Sequence, residues 1–426
     1  MKTKAKALKI LLIVILGLIL GGGAIAAVIF LYPYHPKNPP KADDTGSSKE
    51  GMTKVAEANN RFSFEMYLEL AKTKNENIFF SPYSISSALA IAYEGAEEKT
   101  SEEIAAVFHF PQKDQLRSNF AAIYNKINEG SKEFETRTGN ALWVQKDYPL
   151  LPEYMTTIEK YYGGKASNVD FIGETEKTRK IINTFIEEQT NNKIKDLLPA
   201  GSINPLTRVV ITNAIYFKGE WVWQFKPEDT RKMDFKVTPT ETVQADMMYM
   251  KPEEPEFVYM NSEKLELLEL PYKGERFSMV ILLPKKSLEE LENELTLENF
   301  NYWYSNAKKT KLDGIYIPKF KLETKYFMKD TLKNMGMPTP FSQEADFSGM
   351  TGKRDLVIDE VIHQAFVEVD EKGTEAAAAT GVVMKITGIM EEKIFKADHP
   401  FIFLIWDKET GTILFQGRIN NPTSGK

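Results

Sequence analysis

The chain has 426 residues, 42% of them hydrophobic, which is enough for one large core or two to three ordinary ones. Its formal net charge is −6, and Lys2, Lys4, Lys6 and Lys9 all precede residue 10, so the remainder is more acidic still and unsuited to nucleic acid. Cysteine is absent and the four histidines (His35, His109, His363, His399) are scattered, which excludes disulfides, cysteine nucleophiles and the usual zinc spacings, and no cofactor motif is present.

Residues 10–32 form an apolar run of 23 residues, long enough to cross a bilayer core of ~30 Å as a helix. With four lysines before it, the positive-inside tendency predicts a single-pass signal-anchor in the cell membrane and an extracellular remainder. The rival is a secreted chain cleaved after the small residues Ala24-Ile25-Ala26. The apolar run continues past that point, which favours the anchor. Residues 33–51 combine prolines, small polar residues and charges and read as a flexible linker. No second linker follows, so 52–426 is taken as one domain.

Within it, residues 54–71 carry an apolar stripe at helical spacing (Val55, Ala58, Phe62, Met66, Leu70), and 84–94 does the same behind the start signal Ser81-Pro82. Residues 208–216, 277–283, 314–320, 361–369 and 401–406 read as strands, several too apolar to have a solvated face. The mixture, without a βαβ rhythm, predicts an α+β fold with a large sheet.

The strand at 361–369 runs directly into EKGTEAAAATGVVMKITG, residues 371–388. The even positions from 374 to 386 are Thr, Ala, Ala, Thr, Val, Met and Ile, whereas both charges, Glu375 and Lys385, fall on odd positions. That is the pattern of a strand with one buried face. Composition alone also fits a short alanine-rich helix or a plain loop.

Residues 371–380 resemble the proximal hinge of the reactive-centre loop of an inhibitory serpin. The likeness extends to NIFFSPYSI at 77–85, VITNAIYFKGEWVWQF at 210–225, DHPFIF at 398–403 and GTILFQGRINNP at 411–422, in the order the family shows. The resemblance implies the serpin fold: a large, mostly antiparallel central sheet, further sheets, surrounding helices and an exposed reactive-centre loop. It also implies a suicide-substrate mechanism, in which a serine protease cuts the loop and the freed segment inserts into the central sheet while the acyl-enzyme is still attached.

Residue by residue, the resemblance implies a hinge of Glu371, Gly373, Thr374, Ala376, Ala377, Ala378, Ala379 and Thr380. It places a breach at Trp221 and Lys319, where the loop first enters, and a polar shutter at Ser81, Ser84, Asn213 and His363 beneath the strands that separate. Counting as the family does puts the reactive bond between Thr387 and Gly388. Because residues 388–401 exceed the usual length by about two, Ile386, Gly388, Ile389 and Met390 stay open as alternatives, and Lys385 is the tryptic one. A small β-branched residue before the bond suits elastase-like or subtilisin-like proteases.

Asp359 precedes His363 by four, but in a strand that is some 13 Å, too far for a catalytic pair. Lys113, Arg117, Lys126 and Lys132 are interleaved with acids, so no glycosaminoglycan site is expected. The expected state is a monomer. The alternatives are a non-inhibitory serpin acting as a binding, carrier or chaperone module, against which the small hinge residues argue, and an enzyme, for which no GxSxG elbow, P-loop or metal set exists.

Overall fold

The computed structural model describes residues 41–72, 76–129, 131–190, 192–252, 255–374 and 392–424. The apolar run 10–32, hinge residues Ala376 to Thr380 and the Thr387-Gly388 bond lie outside the described residues. Ten helices are present among those described: α1 (Lys49–Ala71), α2 (Pro82–Gly95), α3 (Glu98–Phe108), α4 (Lys113–Ile127), α5 (Pro152–Tyr162), α6 (Thr175–Gln189), α7 (Leu288–Glu292), α8 (Leu297–Asn306), α9 (Lys329–Asn334) and α10 (Ser348–Thr351). The strands are β1 (Ile78–Phe80), β2 (Phe134–Gln145), β3 (Lys165–Val169), β4 (Val209–Glu220), β5 (Arg231–Lys236), β6 (Thr242–Met250), β7 (Glu256–Asn261), β8 (Leu265–Pro271) and β9 (Phe277–Pro284). They continue with β10 (Lys308–Lys311), β11 (Gly314–Pro318), β12 (Phe320–Phe327), β13 (Glu360–Val369), β14 (Gly373–Thr374), β15 (Ile394–Lys396), β16 (Phe401–Asp407) and β17 (Thr412–Ile419).

Three sheets result, ordered β12-β13-β14-β4-β2-β3, β1-β17-β16-β9-β8-β7-β10 and β15-β11-β6-β5. The main core lies between the first two sheets and around α2, all fourteen residues of which are buried. A second, smaller core lies on the opposite face of the six-stranded sheet, beneath α6, which packs on β2 and β4. Cores on both faces explain why β4 has no solvated face over its first nine residues: Val209 to Phe217 are all buried, Thr212 and Asn213 included.

The local signals act as expected at α2. Pro82 occupies the first turn, where no amide donor is required, and the Ser81 hydroxyl accepts the Ser84 amide at 3.1 Å. At α1 the structure extends the reading. The helix starts at Lys49, inside the stretch read as linker, because Ser48 caps it by accepting the Gly51 amide at 3.0 Å. Upstream, Ala42 is buried and both of its backbone groups bond the Asn125 side chain, at 2.8 and 2.9 Å. Polar side chains rather than apolar periodicity hold this part of the fold, so it leaves no apolar stripe in the sequence.

A second difference concerns the strand expected over 314–320. It breaks at Lys319 into β11 and β12, which belong to different sheets. Lys319 is therefore the joint between two sheets, its amide bonded to the Asp246 carbonyl at 2.8 Å.

Candidate functional site

The six-stranded sheet contains an irregular seam. β13 and β4 run parallel and pair directly over five residues, from Glu360 opposite Val210 to Gln364 opposite Ala214. Higher up they are parted by β14, two residues long, which is antiparallel to both: Thr374 lies opposite Val369 on one side and Gly219 on the other, and Gly373 lies opposite Glu220. The chain after β13 thus turns back at once and starts a new strand between its neighbours. Gly373 is required there, because a Cβ at this position would stand 2.2 Å from the Gly219 carbonyl oxygen.

The turn is held on every side. Asp370 accepts the amides of Lys372 at 2.9 Å and Gly373 at 3.2 Å, closing the turn locally. The Trp221 amide donates to the Lys372 carbonyl at 2.7 Å, its indole N–H to the Asp370 carbonyl at 3.0 Å, and the Phe225 amide to the Glu371 carbonyl at 2.8 Å. Trp221 is buried and stacks on Tyr272, with ring centroids 4.5 Å apart and 14° between planes. The Tyr272 hydroxyl meets the Thr374 hydroxyl at 2.7 Å, so Thr374 faces the main core and is 2% exposed.

Glu371, 6% exposed, receives the Lys319 ammonium at 2.8 and 3.1 Å and the Thr230 hydroxyl at 2.8 Å. Burial alone would raise its pKa, but the hydrogen bonds from Lys319 and Thr230, with a backbone amide and the Lys319 charge, outweigh that and hold the carboxyl below its ordinary value. Asp370 shows the reverse balance: burial pushes it up against the two amides it accepts.

Lower in the seam lies a buried polar cluster. The Ser81 amide donates to His363 Nε2 at 3.0 Å, which leaves Nδ1 to carry the ring proton and donate it to Asn213 Oδ1. That last bond crosses directly from β13 to β4. The Ser84 hydroxyl lies 3.4 Å from Asn213 Oδ1 and 3.3 Å from Asn140 Oδ1 on β2, and the Ser81 hydroxyl donates to the Leu414 carbonyl at 2.6 Å. Ser81, Ser84, Asn213 and His363 all have no exposed surface. Burial lowers the His363 pKa to about 3, so the imidazole is neutral.

The structure therefore brings Trp221, Lys319, Glu371, Gly373 and Thr374 together at the top of the seam, and Ser81, Ser84, Asn213 and His363 together below. Asp359 is not a partner of His363: its carboxylate accepts the amides of Arg208 at 2.6 Å and Val209 at 2.9 Å and fixes the start of β4. Sequence reasoning missed Asp370, Tyr272, Thr230 and Asn140. Asn140, a polar side chain between Gly139 and the apolar run Ala141 to Val144 in the buried half of β2, was the one with a readable signal.

The family model described as Serpin (serine protease inhibitor) matches residues 57–422. The chain belongs to the serpin family. Its relatives include an uncharacterized serpin-like protein of Methanosarcina mazei, 44% identical over 86% of this chain and 87% of that one. The leukocyte elastase inhibitor of Bos taurus is 39% identical over 87% of this serpin and 100% of its own length. Among solved structures, Serpin48 of the insect Tenebrio molitor superposes with a TM-score of 0.77 at 35% identity, over 86% of this serpin and 98% of that chain. The mixed α+β architecture with a large, mostly antiparallel sheet is thus the serpin fold.

One expectation is corrected. Placement of this serpin as a single-pass cell-membrane protein is not upheld, since no helix among the described residues is long and apolar enough to cross a membrane. The longest, α1, carries Lys49, Glu50, Lys54, Glu57, Arg61, Glu65 and Glu69 along its 23 residues, charges too costly for a bilayer core. The archaeal serpin-like relatives match over 86% and 88% of the chain.

Proposed function

We propose that this serpin inhibits serine proteases as a suicide substrate and is not itself an enzyme. In this reading the protease serine attacks the Thr387 carbonyl, forms an ester with it and releases the amine of Gly388. The freed segment then adds to the central sheet before the ester hydrolyses. Serpin loop insertion is itself a standard example of strand addition to a sheet.

The observation that carries the reading is β14, a two-residue strand already paired to both neighbours at the head of the seam. Extending its register residue by residue sets Glu375 opposite Lys218 and Glu368, Ala376 opposite Phe217 and Val367, and Ala379 opposite Ala214 and Gln364. Thr380 then arrives opposite Asn213 and His363, the pair that bridges the two strands. Both flanking registers lead to the same pairs, so one strand can satisfy the two edges together. Small side chains at 376 to 379 enter the core without burying charge, and the Thr380 hydroxyl can serve the two polar groups it separates. Trp221 and Lys319 act as the breach and the buried Ser81, Ser84, Asn213 and His363 as the shutter.

The partner is an elastase-like or subtilisin-like protease. Thr387 before the bond fits a small specificity pocket, and the name of the bovine relative points the same way. Mixing the chain with elastase, subtilisin and trypsin is expected to give a denaturant-resistant complex of summed mass with the first two. The released fragment should begin at Gly388. A fragment beginning at Ile386 would move the bond to Lys385. Cleavage without any complex would sink the inhibitor reading in favour of a binding or carrier serpin.

A further inference from the structure

The seam between β13 and β4 is roofed on its outer face by the segment 192–203 that follows α6. Its side chains Ile194, Leu197, Leu198 and Ile203 are at most 4% exposed and belong to one cluster with Val210 and Ala214 of β4 and Ile362 of β13. The roof is tied to α6 at one end. Asn183 donates to the Leu198 carbonyl at 2.9 Å and accepts the Leu198 amide at 2.8 Å, and Arg179 donates to the same carbonyl at 2.7 Å. α6 packs on β2 and β4, with Phe185 edge-on to Trp143 at 5.5 Å, so this end stands on the β4 side of the seam.

Asp196, whose carboxylate also accepts from Arg179 at 3.0 Å and Asn183 at 2.9 Å on α6, is tied across the seam as well. Lys325, on β12 beyond β13, donates from its ammonium to the Asp196 carbonyl at 2.7 Å. Lys193 lies 5.8 Å over the ring of Phe366 on β13. Asn192 and Asp196 both sit at positive φ, +60° and +51°, so the backbone is held in a left-handed shape that ordinary side chains disfavour.

Adding a strand to this seam moves β13 and β12 away from β4 by about 4.8 Å, the spacing of neighbouring strands. A hydrogen bond of 2.7 Å running from β12 to a roof anchored on the β4 side cannot survive that shift unless the roof lets go. We infer that Lys325 is a latch that clips the 192–203 roof to β12 and slows opening of the seam. This rests on the insertion reading given above.

The test uses the full chain and Lys325→Met, which keeps the apolar stem and removes the donor. The rate at which mixed elastase is trapped and the share of chains cleaved without trapping are both measured. Lys325→Met is expected to insert about fivefold faster, the effect of one lost hydrogen bond, and to waste fewer chains as plain substrate. Lys325→Arg, which keeps a donor, should stay within about twofold of the parent. Should Lys325→Met fold poorly, Lys325→Gln, too short to reach Asp196, replaces it. A merely structural role would lower the melting temperature of the variant and leave its partition between trapping and cleavage unchanged; that result overturns the latch. Unaltered rates while complexes still form overturn the latch alone, whereas absence of complexes from every chain, parent included, overturns the insertion reading and the latch with it.

Discussion

His363 is the residue whose chemistry is set most completely by its surroundings. It accepts one bond and donates another while fully buried, and burial lowers its pKa from 6.5 to about 3. An unfolded chain takes up a proton near pH 6.5 that the folded chain refuses. Stability is therefore unaffected above that value and falls as pH drops from about 6.5 toward 3, by up to ~1.4 kcal/mol per pH unit. Urea unfolding of the parent and of His363→Gln across this window checks it: the parent midpoint should fall more steeply, and parallel curves would refute the assignment. Glu371 differs in kind, since its ion pair with Lys319 is partly open to water and carries a smaller share of the stability.

At the scale of elements, the decisive one is the shortest strand. β14 is two residues long, yet on the insertion reading it sets the register of whatever follows it. Thr374→Arg would drive a guanidinium against Tyr272 in the main core, and Ala376→Pro would remove a ladder donor two residues beyond β14. A buried unpaired charge costs ~3 kcal/mol or more, and because Thr374 is already buried in the intact fold, that cost expels the β14 wedge from which insertion would start. Both variants should still be cleaved at the parent rate but yield little denaturant-resistant complex on electrophoresis; parent-like complex yield would contradict the register.

Much of this region was legible in the sequence. Alternation keeps every charge off the even positions from 374 to 386, and Thr374 does face the core. What alternation cannot show is that β14 is already paired in the intact chain, because that depends on Trp221 and Phe225 gripping from far along the chain a turn that Asp370 closes locally. Lys319 was singled out only through family likeness. Its place at a joint between sheets comes from a break that the continuous pattern of 314–320 conceals. The start of α1 was illegible for a related reason, since a serine cap and an asparagine clamp leave no periodic trace.

The described domain combines two large sheets around the main core with a seam that is closed by five residue pairs below and wedged by two residues above. If cleavage lets residues 375 onward fill that seam, the product gains a full strand's backbone pairing and loses nothing from the main core. Scanning calorimetry before and after limited cleavage should then show the melting temperature rising by about 10 °C or more. An unchanged melting temperature would mean that the seam stays shut.

Trp221 gives the molecule an optical gauge of its own. Its indole is packed flat on Tyr272 and bonded to the backbone of the turn that launches β14, so any withdrawal or advance of that turn changes the polarity and quenching around one chromophore. With the four other tryptophans replaced by phenylalanine, emission from this ring would report the position of the wedge in real time, without a label and without a protease.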